Sequence, residues 1–214
     1  FAVRKGIKSY AELKGKRIGM LGIGSCPDWI MQKILRKEGV DPQLVEFVPL
    51  LSEYPRVVDI IVEGRIDACL AQEPNISIGE HRGILDYWVP AFDEAYLPKY
   101  QWIVQIARNE LIARDPDLIR RVLGCCRRSA HYAADHIDEW ANIGAGLYGT
   151  TREVMRSAID RELPHFHLDG QIDMGGLEKS VDLQFELGGI PNAMRADDFL
   201  DLRFQPAVEQ PVVV

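Results

Sequence analysis

The sequence predicts an α/β fold, and three observations carry that prediction. Residues 16–90 alternate between short strand-like runs and amphipathic helix-like runs. Turns rich in glycine or proline separate these runs. The composition, 47% apolar and 27% charged, is that of a globular chain able to bury a core. Strands and helices in strict alternation imply parallel strands with crossover helices on both sheet faces. In such sheets ligands sit outside the carboxyl ends of the strands.

The elements follow in chain order. Phe1 to Arg4 reads as the end of a strand. Ser9-Tyr-Ala-Glu12 reads as a capping box opening a short helix that Lys14-Gly15 stops. Arg17 to Leu21 reads as a strand, and Gly22 to Pro27 as a tight loop. Asp28 to Lys37 is helical, with Ile30, Met31, Ile34 and Leu35 on one face. Leu44 to Val48 alternates as a strand does, and Tyr54 to Glu63 is helical with Val57, Val58, Ile60 and Ile61 inward. Ala68 to Ala71 is a short buried strand, Glu73-Pro74 starts another turn or helix, and Ile84 to Val89 is a further strand.

The second half differs. Gln101 to Arg108 is a strand-like run. Asp115-Pro116 is an N-cap followed by proline at the first helical position, and the helix carries Leu118, Ile119, Val122, Cys126, Ala130 and Ala133 as a stripe. Thr150 to Glu153 is a second capping box, opening a helix to about Glu162. Asp173 opens a third helix that ends at Gly188-Gly189. Residues 205–214 read as a loose tail. These amphipathic helices have almost no sheet to cover.

Several classes of function are disfavoured. No run is apolar for the roughly 20 residues that a membrane-spanning helix needs. Phe1-Ala-Val-Arg-Lys-Gly6 has no apolar segment of the signal-peptide kind. A net charge of −7 speaks against a general binder of nucleic acid or anionic membrane. Cys26, Cys69, Cys125 and Cys126 form no C-x-x-C pair, so neither a zinc site nor a thioredoxin-like site is expected. No metal and no cofactor is expected.

Further residues carry a resemblance. Ile7-Lys-Ser-Tyr-Ala-Glu-Leu-Lys-Gly-Lys-Arg-Ile-Gly19 resembles a recurring segment of the extracytoplasmic solute-binding proteins of ABC importers. The group it resembles serves nitrate, taurine, alkanesulfonate and thiamine-precursor importers. Gly39-Val-Asp-Pro42, Glu63-Gly-Arg-Ile-Asp-Ala68, Glu73-Pro74 and Asn109-Glu-Leu-Ile-Ala-Arg-Asp-Pro116 continue the match, and Asp197 to Phe204 fits the family's closing segment.

The resemblance implies a two-lobe fold of the type II periplasmic-binding-protein kind. Residues 5–100 would form the α/β lobe two. Residues 1–4 and 101–204 would supply hinge strands and the helical part of lobe one, with 205–214 as tail. The family normally has a further half-lobe before this point, so the chain is expected to lack the first half of lobe one. The implied function is capture of a small polar or anionic organic solute in an inter-lobe cleft. The implied partners are that solute and a membrane permease, with no nucleic acid, and the implied location is periplasmic or extracytoplasmic.

Candidate site residues follow. The Gly24, Ser25 and Cys26 amides and the Ser25 hydroxyl sit at a helix start, where the dipole favours an anionic or polar group. Gln72 and Glu73 end a strand at the place where the family often contributes a side chain to solute. A carboxylate there suits a cationic or hydrogen-bond-donating ligand or a metal accompanying an anion, or it stabilises a helix start. Trp102, near the inter-lobe crossing, is the tryptophan most suited to ligand contact. Trp29, Trp88 and Trp140 read as packing residues, Asp28 as a helix-start residue, His165, His167 and Asp169 as a solvated loop, and Arg120, Arg121, Arg127 and Arg128 as a solvated helix face.

No catalytic residue is expected. The alternative is an enzyme on the same fold, like the sulfinate desulfinases or the enzymes of thiamine-pyrimidine synthesis, with Cys26 as nucleophile on a small sulfur-containing or aromatic compound. A cytoplasmic effector-sensing domain is a third reading, weakened by the lack of a DNA-binding segment.

Overall fold

The computed structural model describes residues 1–89, 93, 96, 101, 103–186 and 188–205. Its sheet contains β1 (Ala2–Arg4), β2 (Arg17–Met20), β3 (Glu46–Pro49), β4 (Ala68–Cys69) and β5 (Leu85–Tyr87). The strand order is β3-β2-β4-β1-β5. Helices α1 (Cys26–Lys37), α2 (Val57–Val62) and α3 (Asn75–His81) are the crossovers.

β2 is parallel to β3, with Arg17 opposite Glu46, and to β4, with Ile18 opposite Ala68. β1 breaks the expected parallel pattern. It runs antiparallel to both β4 and β5 and lies between them. The α/β alternation dictates only the direction of strands joined by crossover helices, and β1 is joined by none. Its residues suit a central place: Phe1 and Val3 join the core on one face and Ala2 the core on the other.

The two cores have the local causes read from sequence. Ile30, Met31, Ile34 and Leu35 of α1 pack on one face with Leu13 and Ile18. Val57, Val58, Ile60 and Ile61 of α2 pack on the other with Leu50, Ile66 and Cys69. At Gly79 of α3, an added Cβ would lie 2.4 Å from Leu85 Cδ2, so the glycine lets α3 close on β5.

The caps differ in detail from expectation. Ser9 does not accept from a backbone amide. Its hydroxyl donates to the Glu12 carboxylate at 3.2 Å, which also accepts from the Lys8 amide, and the segment is a 3-10 turn. Asp115 accepts from the Leu118 amide at 2.9 Å, as an N-cap should. The cap of the next predicted helix is Thr151 rather than Thr150, accepting from the Val154 amide at 3.3 Å.

The second half comprises α4 (Asn109–Arg114), α5 (Pro116–Asp135), α6 (Ile137–Tyr148), α7 (Arg152–Glu162) and α8 (Met174–Glu186). The sequence pattern predicts neither α4 nor α6. α6 is rich in alanine and glycine, and Gly144 lets Met155 of α7 approach: an added Cβ would lie 2.5 Å from its Cε. Ala141, Met155 and Ile159 form the small core there.

The predicted strand from Gln101 to Arg108 is absent over residues 103–108. A strand needs a neighbour, and among the described residues none pairs with it. Ile106 is 91% exposed and Ile103 69%. α5 buries none of its residues. α8, expected with the helical part, packs on the α/β unit: Leu183 joins the Phe1–Ile30 core, and Gly189 lies against the Trp29 ring. Ser180 of α8 also donates to the Gln101 carbonyl at 3.1 Å. The predicted boundary at residue 100 and tail residues 206–214 lie outside the described residues. Among the described residues, no helix is long and apolar enough to cross a membrane.

Candidate functional site

A cleft of about 1760 Å3 lies between the α/β unit and the helical part, closed at one side where α7 packs on α3. Pro27, Leu70, Gln72, Glu73 and Tyr87 line it from the sheet side, where β4 ends. Arg108, Leu118, Trp140, Arg161, Glu162 and His165 line it from the helical side.

The loop before α1 is built by hydrogen bonding. Gly24 has φ +77°, a backbone conformation that glycine tolerates. Its amide donates to Asp28 Oδ2 at 2.8 Å, and Gln32 Nε2 donates to Asp28 Oδ1 at 2.9 Å. Asp28 is only 4% exposed and acts as the loop's internal acceptor. The Gly24 amide is therefore already engaged. The Ser25 hydroxyl is buried with no hydrogen-bond partner among the described residues. Cys26 packs against the Phe1–Ile30 core. Only Pro27 of this loop reaches the cleft lining, so Gly24, Ser25 and Cys26 do not share that lining with Gln72 and Glu73.

Glu73 follows β4, and its side chain is 6% exposed. Its Oε2 accepts from the Ser77 amide in α3 at 3.0 Å. Its Oε1 accepts from Arg161 Nη1 of α7. Arg161 Nη2 donates to Glu80 of α3 at 2.7 Å, and the guanidinium lies 4.6 Å from the centre of the Tyr87 ring. One cation thus ties the α/β unit to α7. Sequence reasoning missed Arg161, because its partners are distant in sequence and no local pattern marks it.

The electrostatics follow from that arrangement. Burial pulls the Arg161 pKa down, but bonding to Glu80 and the charges of Glu73 and Glu80 leave it raised overall. Burial lifts the Tyr87 phenol to about 12, with Arg161 opposing. Burial also raises the Glu162 carboxyl, the Glu73 charge adds to this, and His165 and Arg161 oppose it.

The remaining candidates are placed as follows. Gln72 lines the cleft with an exposed side chain. Trp102 lies outside the described residues. His165 and His167 reach the cleft from the turn and loop after α7. Asp169 accepts from the Gln171 amide. Among the described residues no group of His, Cys, Asp and Glu is arranged to hold a metal. Trp88 packs edge-on against Phe1 and Tyr10, and Trp140 lies 6.3 Å from Phe166 at the cleft. Arg120 pairs with Asp117 and lies over the Phe204 ring.

Known proteins share this architecture. A Brucella abortus (strain 2308) protein described as a candidate binding protein is 24% identical over 208 residues, covering 92% of this chain and 62% of its own length. The chain thus spans less than two thirds of that relative. The ligand-binding component of an ABC-type import system from Staphylococcus aureus superposes with a TM-score of 0.73 at 16% identity, over 94% of this chain and 67% of that one. The alkanesulfonate-binding protein SsuA from Xanthomonas axonopodis pv. citri, bound to MOPS, gives 0.69 at 17% identity, over 92% of this chain and 67% of that one. The fold is therefore that of the periplasmic binding proteins, as the sequence resemblance implied. The NMT1/THI5-like family model matches residues 1–139, and the chain belongs to that family.

Proposed function

We propose that this chain is the solute-binding part of an ABC importer, capturing a small polar or anionic organic solute in the cleft. The single observation that carries the reading is the cleft itself, at the carboxyl end of β4, with polar groups from both walls: Gln72 and Tyr87 on one, Arg161 and Glu162 on the other. Capture would proceed by closure of the two walls over the solute, followed by docking to a membrane permease outside the cytoplasm. Two units would move against each other: the α/β unit, whose sheet includes β1, and the helices beyond it, with α8 packed on the first. Gln72 and Trp102 would contact the solute. The Gly24–Cys26 loop would act through Pro27. No covalent chemistry is involved.

A thermal-shift screen near pH 7 tests the reading. The panel is nitrate, bicarbonate with calcium, taurine and other sulfonates, aromatic carboxylates, and pyrimidines. A ligand at a hundredfold excess over its Kd stabilises by about 2.7 kcal/mol, which moves Tm by several degrees. The expected result is a shift with the compound recovered unchanged, retained in Cys26→Ser and weakened in Gln72→Ala. A compound consumed by the wild type and spared by Cys26→Ser would replace this reading with an enzymatic one.

A further inference from the structure

We infer that Glu162 is the residue that selects the solute, and that the solute offers it a protonated nitrogen. The inference rests on the solute-binding reading and names the class of solute.

Glu162 ends α7 and lines the cleft, half-buried. No described residue donates to its carboxylate or pairs with it. Its neighbour Arg161 is already committed, Nη1 to Glu73 and Nη2 to Glu80. The groups facing this corner are Glu73 from the turn after β4, Glu80 from α3, Tyr87 from β5, Arg161 from α7 and His165 from the turn that follows. Three carboxylates face one guanidinium and the His165 imidazole, and the carboxylate with no hydrogen bond among the described residues is the one lining the cavity.

This imbalance decides the sign of the ligand. An anionic group entering here meets the surplus carboxylate and a guanidinium that is already paired. A protonated amine or amidine supplies the missing charge and forms a charge-assisted hydrogen bond where water is partly excluded. Burial and the Glu73 charge raise the Glu162 carboxyl, and a protonated nitrogen placed against it favours its ionised form. Arg108, at the start of α4, also lines the cleft and has no carboxylate partner among the described residues. A solute bearing both charges is thus accommodated, with its nitrogen at Glu162.

The test uses the full 214-residue chain and matched pairs differing only in charge. These are benzylamine against benzoate, 3-(aminomethyl)pyridine against nicotinate, and propylamine against propanesulfonate, with benzyl alcohol as the neutral member. Binding is read by calorimetry from pH 5 to pH 8. The expected result is preference for the amine of at least one pair, strengthening as pH rises and Glu162 ionises. Glu162→Gln should weaken that amine by roughly tenfold or more, the scale of one lost charge-assisted hydrogen bond. The variant should leave benzyl alcohol unaffected, and Glu162→Asp should restore part of the amine affinity. Because no described residue hydrogen-bonds to Glu162, Glu162→Gln is expected to fold with a Tm no lower than that of the wild type.

A carboxylate or sulfonate preferred to its amine, and bound equally by Glu162→Gln, overturns the assignment while leaving the cleft a solute site. An amine bound equally by both proteins does the same. No binding by any of these compounds, nor by the broader panel above, removes the solute-binding reading together with the inference.

Discussion

Arg161 is the residue on which the junction turns. Its charge satisfies Glu73, whose side chain is 6% exposed, while its own side chain is 27% exposed. Arg161→Ala leaves a buried carboxylate without a counter-charge and should lower stability by about 3 kcal/mol in urea unfolding. Adding Glu73→Gln should recover a good part of that loss, because the stranded charge is then gone. At Glu162 the sign is the reverse. A carboxyl whose pKa is raised in the folded state binds its proton more tightly there than in the unfolded chain. Its favourable contribution is complete below the ordinary glutamate value of 4.5 and is lost as pH rises through the raised folded value. The wild type should therefore lose stability relative to Glu162→Gln as pH rises through that window, measured as the difference between their urea midpoints. Neither role was legible in the sequence. Glu73 drew attention because it ends a buried strand beside a proline, but Arg161 and Glu162 look like the solvated end of an amphipathic helix. Only the packing of α7 against α3 brings them to the cleft.

At the level of elements, what was legible was local. The inward faces of α1 and α2 follow from a 3.6-residue period, and both helices pack on those faces. The Asp115 cap follows from one residue type at one position. α6 was hidden because glycine and alanine carry little amphipathic signal, and their use here is to let α7 come close. The same logic at Gly79 yields a test. Gly79→Ala places a methyl 2.4 Å from Leu85 Cδ2 and should destabilise by about 1–3 kcal/mol. The double variant Gly79→Ala with Leu85→Ala should fall short of the sum of the two single losses, since the first change then has room. Additive losses would show that α3 moves away from β5 instead. The order and direction of strands could not be read from any window, because pairing between residues far apart in sequence leaves no periodic trace.

Over the whole molecule, stability is unevenly distributed. The α/β unit has two cores and a five-stranded sheet. α5 buries none of its residues, and the run 103–108 has no strand partner among the described residues. Hydrogen exchange should show strong protection in α1 and β2, and in α5 exchange approaching that of an unfolded chain. Equal protection in both would mean that α5 acquires a covering surface in solution, from another copy or another chain. The expected stripe on α5 is there in sequence, with Val122 on it, yet an apolar stripe indicates only that a helix needs a neighbour and not where one comes from.

The place of β1 also constrains the order of assembly. β4 and β5 are held one strand-width apart, and the gap is filled by the residues at the start of the chain, with Ala2 facing Cys69 on one side and Tyr87 on the other. Ala2–Arg4 must therefore wait for residues more than sixty positions later before they find both partners. Until Leu85–Tyr87 is in place, Phe1, Ala2 and Val3 have only one side of their slot built. The sheet is thus completed by closure of a long loop rather than by strand-by-strand growth, which places this unit among the slower-folding topologies.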